Sequence, residues 1–342
     1  MKNIREVKAP KLNDLCRLSN KYNIEDDFFK ENLFLTGSGK ASLSIILKYL
    51  LKEKVFENKT FEIITPEWLG YWVYNQINER VFPSKKLSSK SRAMLVYHQY
   101  GFPQNMDKIC EYADKYNLKI IEDCAHAIDS SYKGLRLGSI GDFALFSFSK
   151  FFFSFALGAI KYKDPNFELF FSNELDDSSF FASSFINSTK LFSEISLENK
   201  NSFLEKISKY MVPMSYALYG NSVKPGRISK LNFEYKLDNE IKIRKNRYKY
   251  FIQEFNDSGI VDHLEKDGIT PYVIPIKLKP SDLIKALDNL RSRGFQTGIY
   301  KFDINRFYIE PDYQEVLWIF IHSGISESKY MEQIDILKNI IK

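Results

Sequence analysis

Apolar and polar positions change period repeatedly along the first half of the chain. The segment "KASLSIILKYLLKE" places Leu43, Ile46, Leu47 and Leu50 on one helical face. "FEIIT" (Phe61 to Thr65) reads as a short buried strand that stops at Pro66. "MLVYH" (Met94 to His98) is a second strand, closed by the turn "YGFPQ", and Met106, Ile109, Cys110 and Ala113 then recur at helical spacing. "LKII" (Leu118 to Ile121) is a third, ending at the acidic pair Glu122-Asp123. "FALFSF" (Phe143 to Phe148) and "LGAIKY" (Leu157 to Tyr162) complete the run. Helix and strand patterns in alternation predict an α/β fold around a mostly parallel sheet.

Residues from about 166 to 225 are rich in Ser, Phe and Asn and predict irregular helices without a strand. Beyond them the pattern becomes helix, strand, helix, strand, helix. Its strands are "YVIPIKL" (Tyr272 to Leu278) and "VLWIFIH" (Val316 to His322). The last helix carries Met331, Ile334, Leu337 and Ile341 on one face, with Ser326 as its N-cap. The expected organisation is a large domain over residues 10–215 and a smaller C-terminal α/β domain over 216–342. There is no internal repeat.

Composition narrows the class. A chain of 342 residues with 44% hydrophobic and 27% charged positions is globular rather than disordered or fibrous. It is long enough to bury a core without disulfides. The net charge of +6 is spread out, and its densest run, "KIRKNRYKY" (Lys242 to Tyr250), reads as a solvated helix face. No nucleic-acid-binding module accompanies it, so no nucleic-acid partner is expected. Cys16, Cys110 and Cys124 are scattered and form no CxxC pair, which predicts a reducing compartment and no zinc site. The longest apolar stretch, "DFALFSFSKFFFSFALGAI", is interrupted by Lys150 and three serines, too broken for a membrane span. "MKNIREVKAPKLNDL" lacks the apolar core of a signal peptide. A cytoplasmic protein is expected.

Four patches carry candidate chemistry. "TGSGKAS" (Thr36 to Ser42) is a Gly-rich turn opening a helix, where the first N–H groups can face an anion. A nucleotide P-loop is disfavoured, because Phe34 stands at the first glycine position and Ala41 at the magnesium-binding hydroxyl. "IIEDCAHA" sets Asp123 at the carboxyl end of a buried strand, where open α/β sheets bind ligands, with His126 three residues on. An Asp that merely caps the next turn would read the same way. In "SFSKFFFSFALGAI", Lys150 is a lone cation among apolar residues, a setting that disfavours the ammonium and suits a Schiff-base amine. Ser147-x-x-Lys150 also has the spacing of serine acylases, but their SDN and KTG elements are missing. Finally, Trp68, Tyr71, Trp72 and Tyr74 offer a ring to stack on a flat cofactor, although most of such a group is ordinarily core. In this order the patches are what pyridoxal 5′-phosphate requires.

The runs "TGSGKASL", "VYHQYGFPQNMDKI", "IIEDCAHAIDSSYKGLRLGSIGDFALFSFSK" and "LWIFIHSGISESKYMEQI" resemble the DegT/DnrJ/EryC1/StrS sugar aminotransferases. The stretch from Met94 to Lys150 is the most specific. The resemblance implies the pyridoxal-phosphate-dependent transferase fold of type I. It implies that Lys150 is the lysine that carries the cofactor, that Asp123 binds the pyridinium nitrogen and that His126 lies near the phenolic oxygen. Ser147, with the backbone of Gly39, Lys40 and Ala41, would hold the phosphate, and Trp68 falls near the stacking position. It further implies a homodimer, with Asn232 a candidate to complete a neighbour's phosphate site, and a nucleotide-linked keto-sugar and glutamate as substrates, commonly for surface polysaccharide.

The chain departs from the family where an acidic residue and two glycines usually follow the lysine. Here that stretch is Ala156-Leu157-Gly158. The segment between "EIITP" and "MLVYH" is also short. A degenerate member serving as a partner subunit is the alternative those departures raise. Family dehydratases carry histidine at the lysine position, which Lys150 argues against.

Overall fold

A computed structural model describes residues 27–151, 157–174, 181–182, 184–189, 192, 202–218, 220 and 224–341. Cys16, Phe152, Phe153, Ala156 and the start of the expected large domain lie outside the described residues, as does the side chain of Asn232.

The first half builds one sheet from β1 (Leu33–Thr36), β2 (Glu62–Ile64), β3 (Phe82–Ser84), β4 (Ser91–Tyr97), β5 (Lys119–Asp123), β6 (Phe143–Ser147) and β7 (Gly158–Tyr162). Their order is β1-β7-β6-β5-β4-β2-β3. Strands β6, β5, β4, β2 and β3 are mutually parallel, while β7 runs antiparallel to β6 and β1 antiparallel to β7. The expected mostly parallel sheet is therefore present.

Both faces are covered, which explains why these strands read as near-continuous apolar runs. Helix α1 (Gly39–Lys52) lays Leu43, Ile46, Leu47 and Leu50 on one face, in a cluster with Leu95, Ile121, Phe143 and Leu145. The alternate residues Met94, Val96 and Ile120 meet Met106, Ile109 and Ala113 of α3 (Met106–Tyr116) on the other, α2 being Tyr71–Asn78. Helix α3 is capped as its sequence suggests, by the Asn105 side chain at one end and left-handed Asn117 at the other.

Besides a two-stranded ladder of Ser131–Tyr132 and Leu135–Arg136, three strands differ from the sequence reading. "LFLT" forms β1 directly before the Gly-rich turn, where no leading strand was expected. It is only four residues long and sits at the sheet edge, so its pattern is weak. β3 is similarly short and peripheral. The third belongs to a separate antiparallel sheet, β8-β10-β9, made from β8 (Val273–Ile276), β9 (Gly298–Asp303) and β10 (Tyr313–Phe320). β9 alternates too unevenly to be recognised alone, yet it pairs with β10 from Gly298↔Trp318 to Asp303↔Tyr313.

Between the sheets in sequence come α4 (Asn166–Glu174), α5 (Ser202–Leu218) and the long α6 (Arg227–Phe255). Helices α7 (Pro280–Ser292) and α8 (Glu327–Ile341) pack beside the small sheet. The run Lys242 to Tyr250 is not the solvated face expected, since Arg244, Arg247 and Tyr248 are buried, and Arg244 of α6 ties the parts together. It pairs with Glu240 at 2.6 Å and donates to the carbonyls of Pro271, Tyr272 and Phe151. Among the described residues no helix is long and apolar enough to cross a membrane.

Candidate active site

The parallel register brings the carboxyl ends of the central strands into line. Tyr97 lies opposite Asp123 across β4 and β5, and Asp123 opposite Leu145 across β5 and β6. A cavity of about 590 Å³ opens at this edge. Its walls include Gly39, Lys40, Trp68, Asp123, His126, Ser147 and Lys150, seven of the residues expected from the sequence.

Alternation along β5 sends neighbouring carboxylates to opposite jobs. Glu122 points away from the cavity and is fully buried. Its Oε2 accepts from His98 Nε2 at 3.0 Å and from Gly138 N–H at 2.9 Å. Its Oε1 accepts from the N–H groups of Ile140 and Gly141, at 2.8 and 2.7 Å. Burial alone would raise its pKa, but these donors outweigh burial and hold the carboxyl below the usual range. His98 Nδ1 accepts from Gln104 N–H, which leaves its single proton on Nε2 for Glu122. The glycines are sterically required. A Cβ on Gly141 would fall 2.8 Å from Ile120 Cγ2, and one on Gly138 (φ +91°) 2.6 Å from Phe146 Cζ. Thus "GSIG" is the turn that grips Glu122 and delivers the chain into β6, which ends at Ser147. The buried His98, Glu122 and Cys124 stand close together, but hydrogen bonds already engage the carboxylate and both ring nitrogens.

Asp123, by contrast, lines the cavity while only 3% exposed. Its Oδ1 accepts from Ala125 N–H at 3.0 Å. Burial raises its pKa, countered by that N–H and by the charge of Lys150. The site therefore rewards a cation brought to this carboxylate.

Lys150 follows β6 in a single 3-10 turn, Phe148–Lys150, and is half-buried at the cavity wall. Its Nζ lies 3.0 Å from His126 Nε2. Of the neighbouring phenylalanines, the described Phe146, Phe148 and Phe151 belong to the core and do not line the cavity beside it. Phe146 and Phe148 stack on each other (5.8 Å, 9°) within the core and are not part of the cavity wall. What bears on the amine is polar and aromatic: His126, Lys40 and the carboxylate of Asp123.

The anion cradle is built from packed backbone. Ser38 caps α1, its Oγ accepting from Ala41 N–H at 3.0 Å. Ala41 is buried and outside the cavity wall, so that N–H is committed to the cap. Gly39 and Lys40 hold the first two N–H groups of the helix, which have no intrahelical acceptor. A Cβ on Gly39 would come within 3.0 Å of Ser147 Cβ, and one on Gly158 within 2.4 Å of the Ser38 carbonyl carbon. The altered Ala156-Leu157-Gly158 stretch thus keeps the glycine that this approach needs. Lys40 Nζ sits 4.5 Å from the centroid of the Trp72 ring. Burial lowers its pKa to about 8, with Glu79 opposing and Lys150 adding to the shift.

Trp68 lines the cavity at 40% exposure, in edge contact with Tyr300 (5.9 Å) and Tyr313 (6.3 Å) of the small sheet. Tyr97, Tyr100, Ala125, Ser149 and Tyr300 share the wall and were not singled out from sequence, whereas Trp72, also on the wall, belongs to the aromatic group that was. Tyr97 had a usable signal, since it ends the strand next to Asp123. Tyr300 had none, because tertiary packing alone brings β9 to the cavity.

These residues fit pyridoxal 5′-phosphate. The buried carboxylate suits a protonated ring nitrogen, and the amine suits an aldehyde. The glycine-lined helix start, with Ser147 and Lys40, suits a phosphate.

Comparison with known proteins agrees. Residues 78–169 match the model of the DegT/DnrJ/EryC1/StrS aminotransferase family. A stretch of 64 residues is 50% identical to dTDP-3-amino-3,6-dideoxy-alpha-D-galactopyranose transaminase of Aneurinibacillus thermoaerophilus. Over the same length the chain is 45% identical to GDP-perosamine synthase of Escherichia coli O157:H7. Each match covers 19% of this chain and 18% of the relative. Across its whole length the fold is similar to Helicobacter pylori PseC, an aminotransferase involved in the biosynthesis of pseudoaminic acid. The TM-score is 0.64 at 14% identity, covering 100% of this chain and 99% of that one. The fold is that of the type I transferases.

Proposed function

We propose that this chain, whose residues 78–169 match the DegT/DnrJ/EryC1/StrS aminotransferase family, is a pyridoxal-phosphate-dependent aminotransferase acting on a nucleotide-linked keto-sugar. The observation that carries the proposal is one cavity onto which the Lys150 amine, the Asp123 carboxylate and the start of α1 all open. The names of the relatives, a dTDP-sugar transaminase and a GDP-perosamine synthase, support the substrate class. Glutamate as donor, a homodimeric assembly, a cytoplasmic setting and a place in surface polysaccharide synthesis belong to the same reading.

Each residue then has a task. Gly39 N–H, Lys40 N–H, Ser147 and the Lys40 ammonium hold the phosphate. Asp123 would keep the ring nitrogen protonated, and His126 and Trp68 would help to hold the ring. The bound cofactor supplies an electron sink at the substrate's α-carbon. Lys150 would take a proton at Nζ and return it, as the general base and acid of the transfer. The chief rival, a degenerate partner subunit, gains no support from the altered stretch, since Gly158 still closes the cradle.

The test is incubation with glutamate and a panel of nucleotide keto-sugars, followed by mass detection of aminated sugar and 2-oxoglutarate. Product from one sugar, lost in Lys150→Ala, supports the reading. Absence of 2-oxoglutarate from cofactor-loaded protein with every sugar in the panel overturns it.

A further inference from the structure

We propose that Tyr97 is a positioning residue of this site: its phenol O–H donates to Nδ1 of His126, fixes the ring proton on Nε2, and so aims a donor at the amine nitrogen of Lys150. The proposal rests on the aminotransferase reading, and it adds a residue that neither the motif nor the cavity chemistry assigned.

The geometry is a continuous chain of three polar groups. Tyr97 Oη lies 2.6 Å from His126 Nδ1, and His126 Nε2 lies 3.0 Å from Lys150 Nζ. The imidazole cannot swing out of this line. It is stacked on Tyr272 at 4.3 Å and 9°, with Tyr100 on it at 5.8 Å and 17°. Both nitrogens are therefore spoken for, and the question is which one carries the proton. Burial, with the charges of Lys150 and Arg244 adding to it, pushes the His126 pKa well down, so the ring is neutral and has one proton to place.

Two arrangements that each place a proton in both contacts differ in the charge on Lys150. In the first, Tyr97 O–H donates to Nδ1 and Nε2–H donates to the lone pair of a neutral Lys150 amine. In the second, which holds one proton more, the Lys150 ammonium donates to Nε2 and Nδ1–H donates to Tyr97 Oη. Passing from second to first releases one proton from Nζ to the open cavity, and the ring proton moves from Nδ1 to Nε2. Tyr97 tips this balance. Its O–H has an acceptor in Nδ1, 2.6 Å away, only when that nitrogen carries no proton. Burial pushes the phenol pKa well up, which keeps that proton in place. The first arrangement leaves Lys150 as the free amine that condensation with an aldehyde requires.

Other charges face the same groups. Lys40 and Asp123 act on Lys150, Arg244 on His126, and Tyr100, Asp123 and Tyr300 on Tyr97. None of them changes between the wild type and Tyr97→Phe, which keeps the ring and removes one oxygen.

The experiment uses the full chain freed of cofactor, with ¹⁵N-labelled histidine. The chain has four histidines, and the His126 signals are identified by their loss in His126→Asn. The expected wild-type tautomer is Nε2–H, shifting toward Nδ1–H in Tyr97→Phe. In parallel, Lys150 is acetylated across a pH series and quantified by peptide mass. Loss of Tyr97's hydrogen bond should move half-labelling up by about one pH unit, because the neutral amine loses its preferred partner. An Nδ1–H tautomer in the wild type overturns the proposal even if the variant fails to fold. So does a folded variant in which tautomer and labelling midpoint are both unchanged. Added pyridoxal phosphate, fixed with borohydride, then separates the two claims. If both shifts occur but no cofactor attaches to Lys150, Tyr97's role is supported and the aminotransferase reading falls.

Discussion

Replacing Glu122 with Gln probes how the fold secures the edge on which the site stands. The carboxylate accepts four hydrogen bonds, two at each oxygen, from His98, Gly138, Ile140 and Gly141. A glutamine keeps one accepting oxygen and presents an NH₂ to the other two donors. Two charge-assisted bonds are lost, at about 1.5–3 kcal/mol each, so the expected destabilisation is about 3–6 kcal/mol. Urea unfolding, followed by fluorescence and by circular dichroism with m compared between proteins, measures it. The sign of the pH dependence follows from the depressed carboxyl. Its contribution is complete above the unfolded value of 4.5 and is lost as pH falls through the lower folded value. Glu122→Gln should therefore lack that share of the wild-type acid sensitivity. A variant within about 0.5 kcal/mol of wild type at neutral pH would refute the reasoning.

Gly158→Ala should lower pyridoxal-phosphate affinity at least about tenfold, measured by fluorescence titration, because its Cβ would collide with the Ser38 and Gly39 backbone under the phosphate cradle. Lys40 is cationic below its pKa of about 8 and neutral above it. Inorganic phosphate should thus bind the cofactor-free chain more weakly as pH rises through that value, and Lys40→Met should flatten the dependence in calorimetric titrations. Arg244→Leu strips donors from Glu240 and three carbonyls and should cost about 3–5 kcal/mol in chemical unfolding.

Much of this site was legible because its chemistry sits at strand ends. Asp123 and Lys150 each close an apolar run, and a charged residue there is visible without knowing the sheet order. The cradle was legible in outline, from Gly39 and the helix that follows. Its detail was not, since the commitment of Ala41 N–H to Ser38 Oγ depends on the cap geometry. The apolar surroundings read for Lys150 came from sequence neighbours, whereas alternation turns Phe146 and stacking turns Phe148 into the core. Tyr272 and Tyr300 reach His126 and the cavity only through packing of the second sheet, which no local pattern reports. The edge strand β1 escaped notice for a simpler reason: four residues carry too little periodicity.

The central claim is that Lys150 is the amine that carries the cofactor, and the cavity contains a rival in Lys40. Borohydride treatment of pyridoxal-phosphate-loaded protein, followed by peptide mass mapping, decides between them. One reduced cofactor per chain is expected on the peptide containing Lys150, with no adduct at Lys40 and loss of the visible absorption in Lys150→Ala. Cofactor fixed at Lys40, or full visible absorption in Lys150→Ala, would contradict it.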